Sequence, residues 1–273
     1  MSESERAIEP AISVRDLVVS YDGRRVLDGI NLDVAQGETM VLLGGSGSGK
    51  STLLRQIIGL ERPQEGQVLV RGTNLAKAKP GELKNLRRSI GVAFQNAALF
   101  NSMSVEENIA LPLREHTKLA ESTIGLMTWL KLAVVGLAEF GKLEPQQLSG
   151  GMKKRAAVAR ALALDPDILV FDEPSAGLDP IVAAELDELI LGLKRAFDMT
   201  VVVVTHEMSS AFRIADRLAM LYKGTLIAVG TKEEFRANPH PRIRQFLDRV
   251  PDQISDTAPV ETYFERYLQG RSV

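Results

Sequence analysis

The chain has 273 residues, of which 45% are hydrophobic and 25% charged, with a formal net charge of −2 and no cysteine. This composition can fill a sizeable core, and it excludes disulfides, thiol catalysis and cysteine-ligated metals. A charge close to zero gives no indication of a nucleic-acid partner. The polar N-terminus lacks the apolar core of a signal peptide, and the sequence contains no run of eighteen apolar residues. We therefore expect a soluble protein whose membrane role, if it has one, comes through a partner.

The first region, residues 10–95, is rich in strand patterns. Residues 30–34 alternate between apolar and polar, residues 12–19 alternate in part, and residues 67–70 follow a glycine. Such alternation is typical of strands with one buried face. Residues 39–43 form an apolar run that leads into the most informative motif of the chain.

That motif is a glycine- and serine-rich loop, which precedes a helix-like segment at residues 52–58. Strand, glycine-rich loop and helix form a phosphate-binding loop, in which backbone N–H groups and the helix N-terminus face the phosphates. We expect Lys50 to reach the β- and γ-phosphates and the Ser51 hydroxyl to hold Mg²⁺. A flexible linker is the alternative, but linkers are rarely framed by a buried strand and an amphipathic helix. The predicted nucleotide-binding residues here are Gly44, Gly45, Ser46, Gly47, Ser48, Gly49, Lys50, Ser51 and Thr52.

The middle region, residues 97–165, is predicted mainly as helices, interrupted at Pro112 and Gly141. From Asp167 onward strand and helix patterns alternate again, and residues 201–204 are four valines. A continuous β-branched run is typical of a parallel strand covered on both faces. Helices between such strands imply crossover connections and a parallel sheet. The sequence therefore predicts an α/β fold with a helical subdomain inserted between its two halves.

A second serine- and glycine-rich turn, formed by Ser149, Gly150 and Gly151, stands directly before a helical run at residues 153–163. A hydroxyl and two glycines at a helix start can bind an anion, or they can simply cap the helix. A chain with its own phosphate-binding loop has no evident use for a second such turn. The turn acquires a role if it serves the nucleotide of another subunit.

Two carboxylates, Asp172 and Glu173, follow the apolar run at residues 168–171. A buried strand delivers them to the C-terminal edge of a parallel sheet, where the sites of α/β proteins form. Asp172 is a predicted ligand of Mg²⁺, and Glu173 is predicted to polarise the attacking water. The alternative is an acidic turn, which Pro174 would support.

The tail after Val250 changes character. Residues 251–259 are a polar linker with two prolines, and residues 260–268 are a short candidate helix with three aromatic side chains. We interpret residues 251–273 either as a frayed terminus or as a docking segment for a neighbouring subunit.

Together these motifs resemble those of ABC-type nucleotide-binding subunits over residues 10–235. The motifs occur in the family's order: residues 44–51, Gln95 in Val-Ala-Phe-Gln, residues 148–151, residues 168–173, residues 175–179, and His206 in Val-Thr-His. The resemblance implies a P-loop NTPase fold of ABC type, with a mixed-sheet core, an antiparallel β subdomain and the helical insertion, in one domain at residues 10–250. It also implies an ATPase that uses ATP and Mg²⁺. Two copies would pair head to tail as a homodimer. Each ATP would lie between the phosphate-binding loop of one copy and the turn at Ser149, Gly150 and Gly151 of the other, which is called the signature turn below.

The resemblance implies roles for further residues. Tyr21 would stack on adenine, and Gln95 would touch Mg²⁺ or the attacking water. His206 would hydrogen-bond the γ-phosphate, and Asp179 would lie at the subunit interface. For Tyr21 a core or turn tyrosine is the alternative, and for His206 a structural cap. The implied catalytic residues are Lys50, Gln95, Glu173 and His206, the implied Mg²⁺ ligands are Ser51, Gln95 and Asp172, and Ser149, Gly150, Gly151 and Asp179 complete the nucleotide site.

Three stretches narrow the resemblance: residues 95–117, residues 148–155 with Met152 where many relatives have Gln, and residues 237–247. They are similar to the ATPases of bacterial phospholipid-transport systems that use MCE-domain proteins, the maintenance-of-lipid-asymmetry type. That family implies an integral-membrane permease, an MCE-domain lipid-binding protein and a small STAS-domain regulator, with no nucleic acid. The ATPase would lie at the cytoplasmic face of the bacterial inner membrane, and residues 97–120 would contact the permease.

Two rival functions stay open. An importer of a polar solute or an amino acid would share every nucleotide motif of this chain. A soluble ABC protein acting on nucleic acid or ribosomes usually has two cassettes in one chain or a long coiled-coil insertion, and this sequence shows neither. Nucleotide binding without hydrolysis is disfavoured because Glu173 and His206 are both present.

Overall fold

The computed structural model describes residues 9–250. The chain divides into two compact units, of which the first ends at Phe235 and the second begins at Arg236. The predicted tail, residues 251–273, lies outside the described residues. Its two interpretations therefore stay predictions.

Two sheets contain the ten strands of the described residues. In chain order these are β1 (Ile12–Tyr21), β2 (Arg24–Val34), β3 (Thr39–Leu43), β4 (Glu65–Val70), β5 (Thr73–Asn74), β6 (Ile90–Ala93), β7 (Ile168–Asp172), β8 (Thr200–Val204), β9 (Arg217–Tyr222) and β10 (Thr225–Thr231). The four-stranded sheet has the order β2, β1, β4, β5, with antiparallel neighbours throughout. The six-stranded sheet has the order β10, β9, β3, β8, β7, β6 and is parallel except for β10. The valine run explains the central place of β8, which is buried at every position.

Nine α-helices lie in the same part of the chain. They are α1 (Lys50–Ile57), α2 (Pro80–Arg88), α3 (Val105–His116), α4 (Glu121–Val134), α5 (Gly150–Ala161), α6 (Pro180–Phe197), α7 (Met208–Ile214), α8 (Lys232–Ala237) and α9 (Pro241–Leu247). Three of them, α3 to α5, stand between β6 and β7, in the region predicted as helical. The expected interruption at Pro112 is wrong, because α3 continues through this residue at the expense of one hydrogen bond to the Asn108 carbonyl. Within residues 9–250, no helix combines the length and apolarity needed to span a bilayer.

The strand order determines where the predicted site residues lie. Because β3, β8, β7 and β6 are adjacent and parallel, their C-terminal ends share one edge of the sheet. The phosphate-binding loop follows β3, Gln95 follows β6, Asp172 ends β7 and His206 follows β8. Ligand sites of α/β proteins form at this edge. The buried side chains of Leu53 and Ile57 anchor α1 in the core and so fix the loop that precedes it.

Candidate active site

The loop between β3 and α1 is built around glycines. Gly44, Gly47 and Gly49 have φ angles of 152°, 72° and 106°, a region of backbone space that favours glycine. A Cβ on Gly49 would lie 2.7 Å from Cδ2 of Leu27. A Cβ on Gly44 would overlap the carbonyl oxygen of Leu221. The loop thus has no room for side chains at these two crowded positions, and its backbone N–H groups can line a concave anion site.

Lys50 begins α1, and its ammonium group lies within the loop. Nζ donates hydrogen bonds to the carbonyl oxygens of Gly44 at 2.7 Å and Gly45 at 3.0 Å. Burial lowers the pKa of Lys50, while the charges of Glu173 and Asp172 oppose this shift. The loop therefore contains a buried cation that faces the carboxylates of the next motif, as a phosphate site requires.

The two carboxylates are separated by a turn of the backbone. Asp172 ends β7, whereas Glu173 has a φ of 49° and donates its N–H to the Val204 carbonyl at 2.8 Å. A left-handed conformation is uncommon for a residue other than glycine, and such strain is often found at functional sites. Burial raises the pKa of Asp172, and the charge of Glu173 raises it further, while Lys50 lowers it. A bound cation would favour the ionised form of Asp172.

His206 is in direct contact with Glu173. Nδ1 of His206 lies 2.8 Å from Oε2 of Glu173. An ionised carboxylate only accepts hydrogen bonds, so Nδ1 carries the proton and Nε2 is left for another partner. The Glu173 side chain is 13% exposed and that of His206 is 58% exposed. The pair thus places a fixed imidazole on the accessible side of a buried carboxylate.

Gln95 joins this cluster through its backbone. Its carbonyl oxygen accepts a hydrogen bond of 2.5 Å from Nζ of Lys154, which also donates to the Glu173 carbonyl at 3.0 Å. The Gln95 side chain is exposed at the sheet edge. The structure therefore brings the phosphate-binding loop, Asp172, Glu173, His206 and the Gln95 backbone together.

The signature turn lies elsewhere, at the start of α5, where it packs against the residues around the start of α6. Ser149 is the N-cap of α5, and its Oγ accepts a hydrogen bond of 3.2 Å from the Met152 N–H. A Cβ on Gly151 would lie 2.6 Å from Cγ1 of Val182, and one on Gly150 would lie 3.6 Å from Leu178. Within the described residues, no hydrogen bond joins this turn to the phosphate-binding loop.

Asp179 lies beside the signature turn as the N-cap of α6. Its Oδ1 accepts hydrogen bonds from the N–H groups of Ile181 at 3.0 Å and Val182 at 3.1 Å. The Ile181 side chain is 73% exposed, which is high for an apolar residue. The signature turn and Asp179 thus form a second group of predicted site residues, next to an exposed apolar side chain.

Tyr21 ends β1 and is 39% exposed. Its hydroxyl donates a hydrogen bond to the Glu61 carboxylate, which also accepts one of 3.1 Å from Gln56. Burial raises the pKa of Tyr21, and the bond to Glu61 raises it further. The hydroxyl end of the ring is therefore fixed while part of the ring stays accessible.

The donors around the loop fit a magnesium nucleotide. Within residues 9–250, no group of three or more His, Cys, Asp or Glu could hold a metal alone. The predicted ligands are instead a hydroxyl (Ser51), a carboxylate (Asp172) and an amide (Gln95), all oxygen donors of the kind that Mg²⁺ binds together with phosphate oxygens and water. In the loop itself, the buried Ser48 Oγ has no partner within these residues, so it can accept a bond to a ligand.

Residues 27–176 match the family described as ABC transporter. This segment is more than half of the chain, and it contains the phosphate-binding loop, the signature turn and both carboxylates. The chain belongs to the ABC transporter family. The predicted ABC-type P-loop fold is thereby confirmed, as are the ATPase class and ATP with Mg²⁺ as the ligands of the site.

Individual relatives of this ABC protein agree with that assignment. It is 41% identical to the intermembrane phospholipid transport system ATP-binding protein MlaF of Escherichia coli, over 97% of this chain and 99% of that protein. It is 43% identical to the probable ribonucleotide transport ATP-binding protein mkl of Mycobacterium leprae, over 87% of this chain and 69% of that protein. Among solved structures, the dimeric post-hydrolysis state of the cassette MJ0796 with ADP and Pi has a TM-score of 0.75 and 31% identity, over 81% of this chain and 98% of that one.

Two residues of the ABC site could not be identified from the sequence. Lys154 and Arg160 both project from α5 to backbone carbonyls after β6. Lys154 stands within residues 148–155, but every residue has a backbone carbonyl, so no motif identifies the acceptors of Lys154. α5 carries four cations, Lys153, Lys154, Arg155 and Arg160, and nothing in the sequence shows which of them reach these carbonyls.

Proposed function

We propose that this chain is the ATP-hydrolysing subunit of a bacterial phospholipid transporter and works as a homodimer. The observation that carries the proposal is the similarity to MlaF, which spans almost the full length of both chains. A cassette shared by all ABC proteins would account for the nucleotide motifs alone. Similarity that continues to the ends of both chains supports a shared transport role as well.

In the proposed reaction the phosphate-binding loop and Lys50 hold the phosphates of ATP. Ser51, Gln95 and Asp172 would hold Mg²⁺, which when bound neutralises charge on the phosphate oxygens. Glu173 acts as the general base toward the attacking water. The contact between Glu173 and Nδ1 of His206 supports a joint role, because it orients the imidazole and leaves Nε2 for the γ-phosphate.

The homodimer gives a role to the second group of predicted residues. Ser149, Gly150, Gly151 and Asp179 have no hydrogen bond to the phosphate-binding loop of their own chain within the described residues. A partner copy facing head to tail would bring its signature turn to this loop, and the exposed Ile181 would be covered. On the adenine side we propose Tyr21, whose hydroxyl is fixed by Glu61.

The permease would dock in a groove of about 280 Å³ beside the residues after β6. Leu60 and Phe94 in this groove are 56% and 38% exposed, and Pro112 and His116 of α3 also line it. An apolar floor with adjacent cations fits an amphipathic helix of a membrane subunit. Phe100, 50% exposed, lies in the loop between β6 and α3. These positions support the predicted permease contact at residues 97–120.

We further propose the remaining elements of this assembly. They are an MCE-domain lipid-binding protein, a small STAS-domain regulator, and a location at the cytoplasmic face of the inner membrane through the permease. The nucleotide-binding domain would occupy residues 10–250, with its helical subdomain at about residues 97–165. The similarity to mkl supports a second candidate, transport of a ribonucleotide.

Reconstitution separates these candidates. The membrane complex that co-purifies with the chain in mild detergent is identified and placed in liposomes with a fluorescent phospholipid or a radiolabelled ribonucleotide. We expect ATP-dependent movement of the phospholipid, with no movement in the matched Glu173→Gln complex. Movement of the ribonucleotide alone, or recovery of an amino-acid-type permease without an MCE-domain protein, would replace the lipid function and leave the ATPase intact.

A further inference from the structure

Lys154 connects two loops that leave neighbouring strands. It projects from the first turns of α5, and its ammonium group donates to the carbonyl oxygen of Gln95 after β6 and to that of Glu173 after β7. Since β6 and β7 are paired in parallel, the two carbonyls stand side by side at the sheet edge. The helix that begins at the signature turn is thereby tied to both loops of the catalytic cluster.

Lys154 is half-buried near the carboxylates of Glu173 and Asp172. Burial lowers its pKa, and the carboxylates of Glu173 and Asp172 act in the opposite direction. A charged donor that bridges two carbonyls makes stronger hydrogen bonds than a neutral one. Without the ammonium group, both carbonyls would lose this donor.

A second cation on the same helix holds the continuation of the loop. Arg160 donates to the carbonyl oxygens of Ala98 at 2.7 Å and Ala97 at 3.0 Å. Both alanines have left-handed backbones, with φ of 50° and 59°, which costs about 1 kcal/mol each for a residue with a Cβ. The loop after β6 is therefore held in a strained shape by α5.

We propose that Lys154 is a positioning residue for ATP hydrolysis, which fixes the backbone of Glu173 and the start of the Gln95 loop relative to the signature helix. The proposal rests on the assigned role of Glu173 as the base. Glu173 has a left-handed backbone that few side chains adopt, so the direction of its carboxylate depends on how its carbonyl is held. Lys154 touches no reacting atom and acts through this carbonyl.

The test uses the full-length chain with three substitutions. Lys154→Met removes the ammonium group but keeps a side chain of similar length, and Lys154→Arg keeps the charge and the donors. Lys142→Met is the control, in which the same substitution removes an exposed lysine. Steady-state ATPase gives kcat and KM, and a fluorescent ATP analogue gives affinity. We expect kcat of Lys154→Met to fall about 10- to 100-fold, the effect of losing a charged hydrogen-bond donor. ATP affinity and KM should stay within about threefold, Lys154→Arg should recover most of kcat, and Lys142→Met should match the wild type.

A purely structural role predicts a different pattern. A kcat of Lys154→Met close to wild type, or equal losses in kcat, ATP affinity and thermal unfolding midpoint, overturns the proposal. If Lys154→Met does not fold, Lys154→Gln, which keeps an uncharged amide donor group, is measured in its place with the same criteria. A wild-type chain that binds ATP without hydrolysing it would instead remove the assigned role of Glu173, so the two failures are distinguishable.

Discussion

The chain contains two serine- and glycine-rich helix starts that look alike in sequence and differ in construction. In the phosphate-binding loop, Gly44 and Gly49 have positive φ angles, and both sit where a Cβ would strike a neighbour. In the signature turn, Gly150 and Gly151 belong to α5 and have no positive φ. Only Gly151 approaches a neighbour closely, and that neighbour is the side chain of Val182.

This difference separates two uses of glycine. In the first loop, glycine provides a backbone shape that makes an anion-binding concavity within one chain. In the second, glycine provides a small surface against α6, and the Ser149 hydroxyl is already used as a cap. The phosphate-binding loop thus has its shape determined within one chain, whereas the signature turn presents a capped helix start to whatever faces it.

The largest expected effect is on the rate of ATP hydrolysis, when the proposed general base beside the phosphate-binding loop is removed. Glu173→Gln keeps a polar side chain beside His206 but removes the base, so we expect kcat to fall by about 10²- to 10⁴-fold, typical of a lost general base. ATP binding should persist, because the phosphate-binding loop is unchanged. Steady-state ATPase assays and equilibrium nucleotide binding measure the two quantities. Turnover near wild type would contradict the role of Glu173.

The second prediction concerns the backbone of the phosphate-binding loop. Gly44→Ala places a Cβ against the Leu221 carbonyl at a φ that favours glycine. We expect the free energy of unfolding to fall by about 2 kcal/mol or more and ATP binding to be lost. Urea unfolding and titration calorimetry measure these effects.

A glycine without such constraints provides the control. Gly192 lies inside α6, and a methyl group added there would point into open space. Gly192→Ala should therefore stabilise the chain by about 0.5–1 kcal/mol. Retention of ATP binding in Gly44→Ala would mean that the loop does not need its observed shape.

The third prediction tests whether the signature glycine serves packing. Gly151→Ala would bring a Cβ to 2.6 Å from Cγ1 of Val182, and such overpacking costs about 1–3 kcal/mol. Because the obstacle is a side chain, truncating it should relieve the overlap. Gly151→Ala should therefore lower the free energy of unfolding less in the Val182→Ala background than in the wild type. Chemical unfolding of the four variants forms a double-mutant cycle. A zero coupling energy would show that Gly151 is needed for another reason.

The same contrast explains what the sequence predicts well. The valine run of β8 and the phosphate-binding loop between β3 and α1 have local patterns that determine their structure, and both are found where expected. Pro112 misled the helix prediction because the cost of one missing hydrogen bond is outweighed by packing of α3, in which Ile109 and Leu113 are buried.

Placement at the sheet edge was predictable for side chains at strand ends, such as Asp172 and His206, whose chemical roles stay predictions. Contacts were not predictable where backbone groups are the partners. The contact of Lys154 with two carbonyls depends on the meeting of α5 with β6 and β7. That meeting is a tertiary property, and no spacing along the chain encodes it.

The smallest expected effect on stability is at Gly150. It is the sharpest test of the contrast between the signature turn and the phosphate-binding loop. Its Cβ would lie 3.6 Å from Leu178, an ordinary contact, and its backbone is helical. Gly150→Ala should therefore change the free energy of unfolding by no more than about 0.5 kcal/mol and leave ATP binding by the single chain unchanged. In the Glu173→Gln background, however, an added methyl group on the proposed dimer face should weaken ATP-dependent pairing, measured by analytical ultracentrifugation. A loss of about 2 kcal/mol in stability would instead place Gly150 with Gly44, as a glycine that the fold of its own chain requires.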